Sequence, residues 1–178
     1  TVTLSPLTTT ICRGEGVTLT ANSSGSSVNE TFSGSSGSVN LTIPDNSNSA
    51  YSYSSISLSG SGGASLSASD IVIVEVNINI TRDRDLDLFL VDPTGNHALE
   101  LSTDNGGWGD DYINTFFRTD ASTPITSGSA PFNNTYLPEG TIASSPNRSD
   151  AASNGNGNYN SVIPSNSLEG ASIDGNWT

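Results

Sequence analysis

From residue 71 the chain alternates. In Ile71-Val-Ile-Val-Glu-Val-Asn-Ile-Asn-Ile80 every even position is apolar, while the odd positions turn polar at Glu75, Asn77 and Asn79. Successive side chains of a strand point to opposite faces, so this spacing predicts a strand with one face in a core. Leu86, Leu88 and Leu90 continue the alternation in a second strand, with Asp85, Asp87 and Phe89 facing the other way. Asp92-Pro-Thr-Gly95 reads as a turn and Ala98-Leu-Glu-Leu101 as the returning strand, with another over residues 113–117. Upstream, Val39-Asn-Leu-Thr-Ile43 and residues 51–58 carry further strand signals. No window combines the helical period with caps. The pattern predicts an all-β chain.

Turn chemistry and low-complexity stretches divide it. Val2/Leu4 and Val17/Leu19 alternate within two short strands over residues 1–4 and 16–21, separated by Ser5-Pro6 and Arg13-Gly-Glu-Gly16. Two strands alone are marginal in water and need something to pack on, so residues 1–21 read as an N-terminal β arm, similar to the opening of an Ig-like surface repeat. Residues 22–38 are rich in Ser, Gly and Asn, as in a linker. Residues 39–178 then form the main domain, with residues 143–167 predicted as a long loop.

Composition narrows the class. Only 33% of the 178 residues are hydrophobic and 13% charged, the balance being small polar residues, which fits an extracellular β protein with long loops. Five basic against 18 acidic side chains give a formal charge of −13. That field repels nucleic acid and anionic lipid and favours cations. No apolar run is long enough to span a bilayer. The single Cys12 cannot form an internal disulfide, and reads as a small buried hydrophobe or as a partner for a cysteine outside this chain.

Nine of the 18 acids fall between Asp83 and Asp120, interleaved with apolar residues at strand spacing. Carboxylates on a rigid β framework are a common way to build a calcium site. Asp83-x-Asp85-x-Asp87 mimics the start of an EF-hand, but Leu88 and Thr94 stand where that loop needs Gly and Glu. The only histidine, His97, lacks the partners of a serine triad or a zinc helix and reads as a turn residue. No nucleophile–base constellation is present, so a non-enzymatic role is expected.

Several ordered blocks carry a family resemblance: Ile43-Pro-Asp-Asn46, Val76-Asn-Ile-Asn-Ile-Thr81, Asp85-Leu-Asp-Leu-Phe-Leu-Val-Asp-Pro-Thr-Gly95 and Leu101-Ser-Thr-Asp-Asn-Gly-Gly107. Ala130-Pro-Phe132, Tyr136-Leu-Pro-Glu-Gly140 and Asp174-Gly-Asn-Trp-Thr178 follow. Residues 40–178 resemble the P domain (proprotein-convertase or Homo-B domain), a jelly-roll β-sandwich found beside secreted proteases and in bacterial secreted proteins. The resemblance implies calcium. Asp104, Asp110 and Asp120 are the foremost candidate ligands, Asp87 and Glu139 come next, and Asp85 and Asp111 complete the set. The bland alternative is a solvated acidic face partly neutralised by Arg82, Arg84 and Arg118.

Family members usually continue past the Gly-x-Trp-Thr block, whereas this sequence stops at Thr178. That end reads first as a cut in the recorded sequence; the alternative is a jelly roll incomplete at its C-terminus, whose open ladder edge is filled by a strand from a neighbouring copy or by residues 1–21. The resemblance thus implies a calcium-stabilised, secreted module at a bacterial cell surface, working in adhesion or filament assembly with other copies or neighbouring domains. An accessory domain of a secreted protease and a carbohydrate-binding module are the alternatives. For the last, Trp108 among glycines is the natural sugar contact, unless it covers the calcium loop. Asn-x-Ser/Thr sequons occur at Asn22, Asn29, Asn40, Asn79, Asn133, Asn147 and Asn176. Many arise by chance in so Asn- and Ser-rich a chain and are expected to stay bare in a bacterial source, and any glycans fit O-linkage on the Ser/Thr stretches at least as well.

Overall fold

The computed structural model describes residues 2–5, 20–23, 30–43, 51–148 and 162–178. Cys12, most of the segment between the first two strands and residues 149–161 of the expected loop lie outside them. The chain divides into two compact units, Thr1–Thr31 and Phe32–Thr178, so the boundary falls inside the Ser/Gly-rich stretch. In the first unit, β1 (Val2–Ser5) pairs antiparallel with β2 (Thr20–Ser23), which overlaps the expected second strand at residues 20–21; its residues 16–19 lie outside the described residues.

The second unit is all-β. Among the described residues its strands are β3 (Ile56–Leu58), β4 (Ile73–Ile78), β5 (Asp87–Val91), β6 (Ala98–Thr103), β7 (Tyr112–Arg118), β8 (Thr135–Tyr136) and β9 (Gly175–Trp177). One sheet runs in the order β4-β7-β8, with β4–β7 antiparallel and β7–β8 parallel. Elsewhere β3 pairs with β9, and β5 with β6 as a hairpin. Two reciprocal backbone bonds, Val91 N–H to Thr178 O (2.6 Å) and Thr178 N–H to Val91 O (3.0 Å), dock the end of the β9 segment beside β5.

Both groups of strands feed one hydrophobic core. Leu99, Leu101 and Trp177 meet Tyr112, Phe117, Phe132 and Tyr136 there. Tyr112 and Phe132 stack at 4.8 Å between ring centroids, and Tyr136 meets Phe132 edge-on at 5.6 Å, geometries that suit the ring quadrupole. The β5–β6 hairpin is covered on its second face too, by a smaller cluster of Ala98 and Ile163 with Phe89 and Val91 against it.

The alternation in β4 holds: Val72, Val74, Val76 and Ile78 are half-buried against the core, and the odd positions are exposed. That face is half-buried rather than fully enclosed because β4 is at the edge of its sheet. Two strand expectations are corrected. Residues 39–43 form no strand, and Val39 and Leu41 are about half exposed (48% and 49%). Of residues 51–58, only Ile56–Leu58 is strand, because only that stretch finds a ladder partner, in β9.

Candidate metal centre

The start of β5 and the end of β6 face each other, Asp87 opposite Thr103, so the acids of the hairpin mouth are gathered there. The register slips by one residue between Leu88 and Phe89, beside Glu100; such bulges commonly re-aim a neighbouring side chain. Asp104 follows in a turn at φ +56°, a left-handed conformation that Asp tolerates better than most residues. Residues 139–140 run alongside β6, with Gly140 N–H donating to Glu100 O (3.0 Å). A Cβ at Gly140 would sit 3.1 Å from the Glu100 nitrogen, so this close approach favours glycine.

These tethers fix two carboxylates. Glu139 Oε2 accepts from the Thr103 amide (2.6 Å) and the Asn105 side-chain amide (2.8 Å). Glu100, only 3% exposed, accepts from the Thr103 hydroxyl (3.0 Å) and the Asn147 amide (2.8 Å). Asp87 is half-buried among them. Burial first, then the charges of Asp104, Glu100 and Glu139, push its carboxyl up to about 7, against the opposing pull of the Asp104 amide. No basic side chain enters that balance. Glu100 and Glu139 also line a cleft of about 340 Å³.

A second group of acids lies around Asp83. The turn Asp83–Asp85 is a short 3-10 segment that turns Asp83 inward, fully buried, while Asp85 remains outside. Asp111, at φ +74°, is held by the Ile80 amide (2.9 Å) and the Asn79 side chain (3.2 Å). Burial raises the Asp83 carboxyl to about 6; the Asp111 amide opposes this, and the charges of Asp111 and Asp110 add to it. Between the two groups stands Tyr112, its hydroxyl 3.0 Å from the Ser102 hydroxyl. Burial raises that phenol to about 12, with the Ser102 bond opposing and the charges of Asp83, Glu139 and Asp87 adding to the rise.

Of the sequence candidates, then, Asp87, Asp104 and Glu139 come together, and Asp110 and Asp111 join a different locus. Asp85 pairs with Arg82 (3.1 Å) and Arg84 (3.5 Å). Asp120 takes a two-pronged bond from Arg118, at 2.9 Å on each oxygen, which holds its carboxyl below the usual range. The sequence reading missed Glu100 as a candidate, and passed over Asp83 once the EF-hand failed. Trp108 is 71% exposed, with the Arg82 and Arg84 guanidiniums 4.1 and 4.4 Å from its ring centre. Such cation–π contacts fix the ring at the surface.

The donors of both loci are all oxygen, which suits a hard cation such as calcium. Among the described residues no three His, Cys, Asp or Glu side chains are drawn together as a ready-made cage. Calcium also draws on carbonyls and water, which would complete its shell. Among the described residues no helix is long and apolar enough to cross a membrane. No family model matches this chain, and no curated protein or solved structure matches it either.

Proposed function

We propose that the chain is a non-catalytic, calcium-stabilised module of a secreted or surface-displayed protein, a jelly-roll sandwich of the P-domain type working in adhesion or assembly. One observation carries the calcium reading. Asp87 sits half-buried in the field of Asp104, Glu100 and Glu139, and the charges that act on it are all negative. Like charges held that close repel strongly in a partly dehydrated setting, and either a proton or a cation relieves them. At neutral pH and extracellular calcium concentrations the cation wins. Bound there, calcium ties together the mouth of the β5–β6 hairpin, the turn at Asp104 and the segment bearing Glu139, three pieces remote in sequence.

The alternation and turn chemistry of the β5–β6 hairpin, together with a core shared by two groups of strands, support the jelly-roll form. The assembly role rests on the acidic surface, the P-domain resemblance and the exposed apolar residues 39–43. The exposed Trp108 favours one second reading, a carbohydrate contact, since an aromatic face at the surface stacks on sugar rings. Glycan-array binding lost in Trp108→Ala would support it.

Calorimetry tests the main reading. Calcium raises Tm and a chelator lowers it; binding at 100 times Kd adds about 2.7 kcal/mol. Glu139→Gln abolishes most of that shift. An identical Tm in calcium and in chelator removes the site.

A further inference from the structure

We infer that Asp83, Asp110 and Asp111 form a second calcium locus, separate from the one around Asp87. Asp83 is the centre of the case. It is 0% exposed, and neither of its carboxylate oxygens completes a hydrogen bond: the Asp111 amide is near enough to favour the charged form without bonding it. Buried carboxylates are normally paired or hydrogen-bonded, because desolvating an unpaired charge is costly. The packing makes this orphan stranger still. A Cβ at Gly106 would fall 2.6 Å from the Asp83 Cβ and 3.1 Å from its Oδ2, so the turn is glycine where it passes the carboxylate.

The missing partner is positive. Asp83 feels the charges of Asp110 and Asp111, so its surroundings are anionic, and a hydrogen-bond acceptor would make matters worse. No arginine is among the charges acting on Asp83. Arg82 pairs with Asp85 and both guanidiniums lie against Trp108, while Arg84 Nε, 3.5 Å from Asp85, is itself buried without a hydrogen bond. The backbone helps instead. Asp83 N–H is tied to Gly109 O (2.9 Å), and Gly109 N–H to Gly106 O (3.1 Å), a glycine loop with carbonyls beside the acid. Calcium accepts carboxylates, carbonyls and water together in a flexible shell, and Asp110 is exposed, leaving a path from solvent.

This locus does not depend on the Asp87 reading, and one experiment separates them. Native mass spectrometry of the full chain, titrated with calcium, counts ions per chain. Wild type is expected to hold two, and Asp83→Asn and Glu139→Gln one each. Should Asp83→Asn lose an ion while Glu139→Gln loses none, the Asp83 locus stands and the Asp87 centre falls. An Asp83→Asn chain that keeps every ion overturns the inference, and wild type that binds none overturns both. Where Asp83→Asn fails to fold, Asp110→Asn decides, being exposed: calcium affinity at least tenfold weaker at one site supports the locus, and unchanged affinity sinks it.

Discussion

Asp83 and Asp92 are buried alike, at 0% and 3% exposure, and titrate in opposite directions. Burial pushes both upward. Asp92 escapes because its oxygens accept from the Thr94 hydroxyl (2.6 Å) and from the amides of Thr94, Asn96 and His97; these donors favour the charged form and hold its carboxyl below the usual value. The Asp-Pro-Thr-Gly turn is therefore built around an ionised carboxylate. Asp92→Ala strands several buried donors and is expected to cost about 3 kcal/mol, since hydrogen bonds to charged groups contribute roughly 1.5–3. Asp92→Asn, which keeps one acceptor oxygen, costs less. Urea denaturation of the two variants checks the order; equal losses would mean that the turn needs only shape.

The turn between β6 and β7 offers a second comparison. Gly106 and Gly107 both have positive φ, +85° and +63°, but only Gly106 is crowded: a Cβ added there would lie 2.8 Å from Phe132 Cε2. Gly107→Ala meets nothing within 4 Å and pays backbone strain alone, about 1 kcal/mol. Gly106→Ala adds overpacking against Asp83 and Phe132 and is expected to lose about 3 kcal/mol in the same denaturation assay. Equal losses would show the turn loosely packed. At this scale the alternation made β4, β5, β6 and β7 legible, because side-chain phase is a local property. Residues 39–43 carry the same alternation and form no strand, since a ladder needs a partner that the local pattern cannot specify. Asp83 and Glu100 were illegible for related reasons. Asp83 stands ahead of the alternation that places Asp85 and Asp87, and entered only through the EF-hand spacing, while the 3-10 turn sends it inward. Glu100 alternates with Leu99 and Leu101 as a solvent-facing residue would, yet the hairpin is covered on both faces.

Over the whole chain, 18 acids face five arginines, and the ion pairs of Arg82, Arg84 and Arg118 neutralise Asp85 and Asp120 rather than the buried carboxylates. Asp83 and Asp87 therefore set the pH response of the metal-free protein. Their folded values, about 6 and about 7, lie above the ordinary 3.8, so the folded state binds the extra protons. Stability then falls as pH rises through that interval, because the unfolded chain is already ionised. Asp92 works the other way, its contribution being lost as acid protonates it near and below the ordinary carboxylate range. The metal-free protein is thus expected to be most stable at about pH 4, to weaken as pH rises to about 7, and to level off above that. Calcium requires the ionised carboxylates, so its stabilisation grows over the same span and flattens the profile. Tm measured across pH with chelator and with calcium reads both trends. A chelated profile that stays level or rises from about pH 4 to about 7 would mean that these carboxylates are hydrated in solution, and the cation would then have no electrostatic strain to relieve.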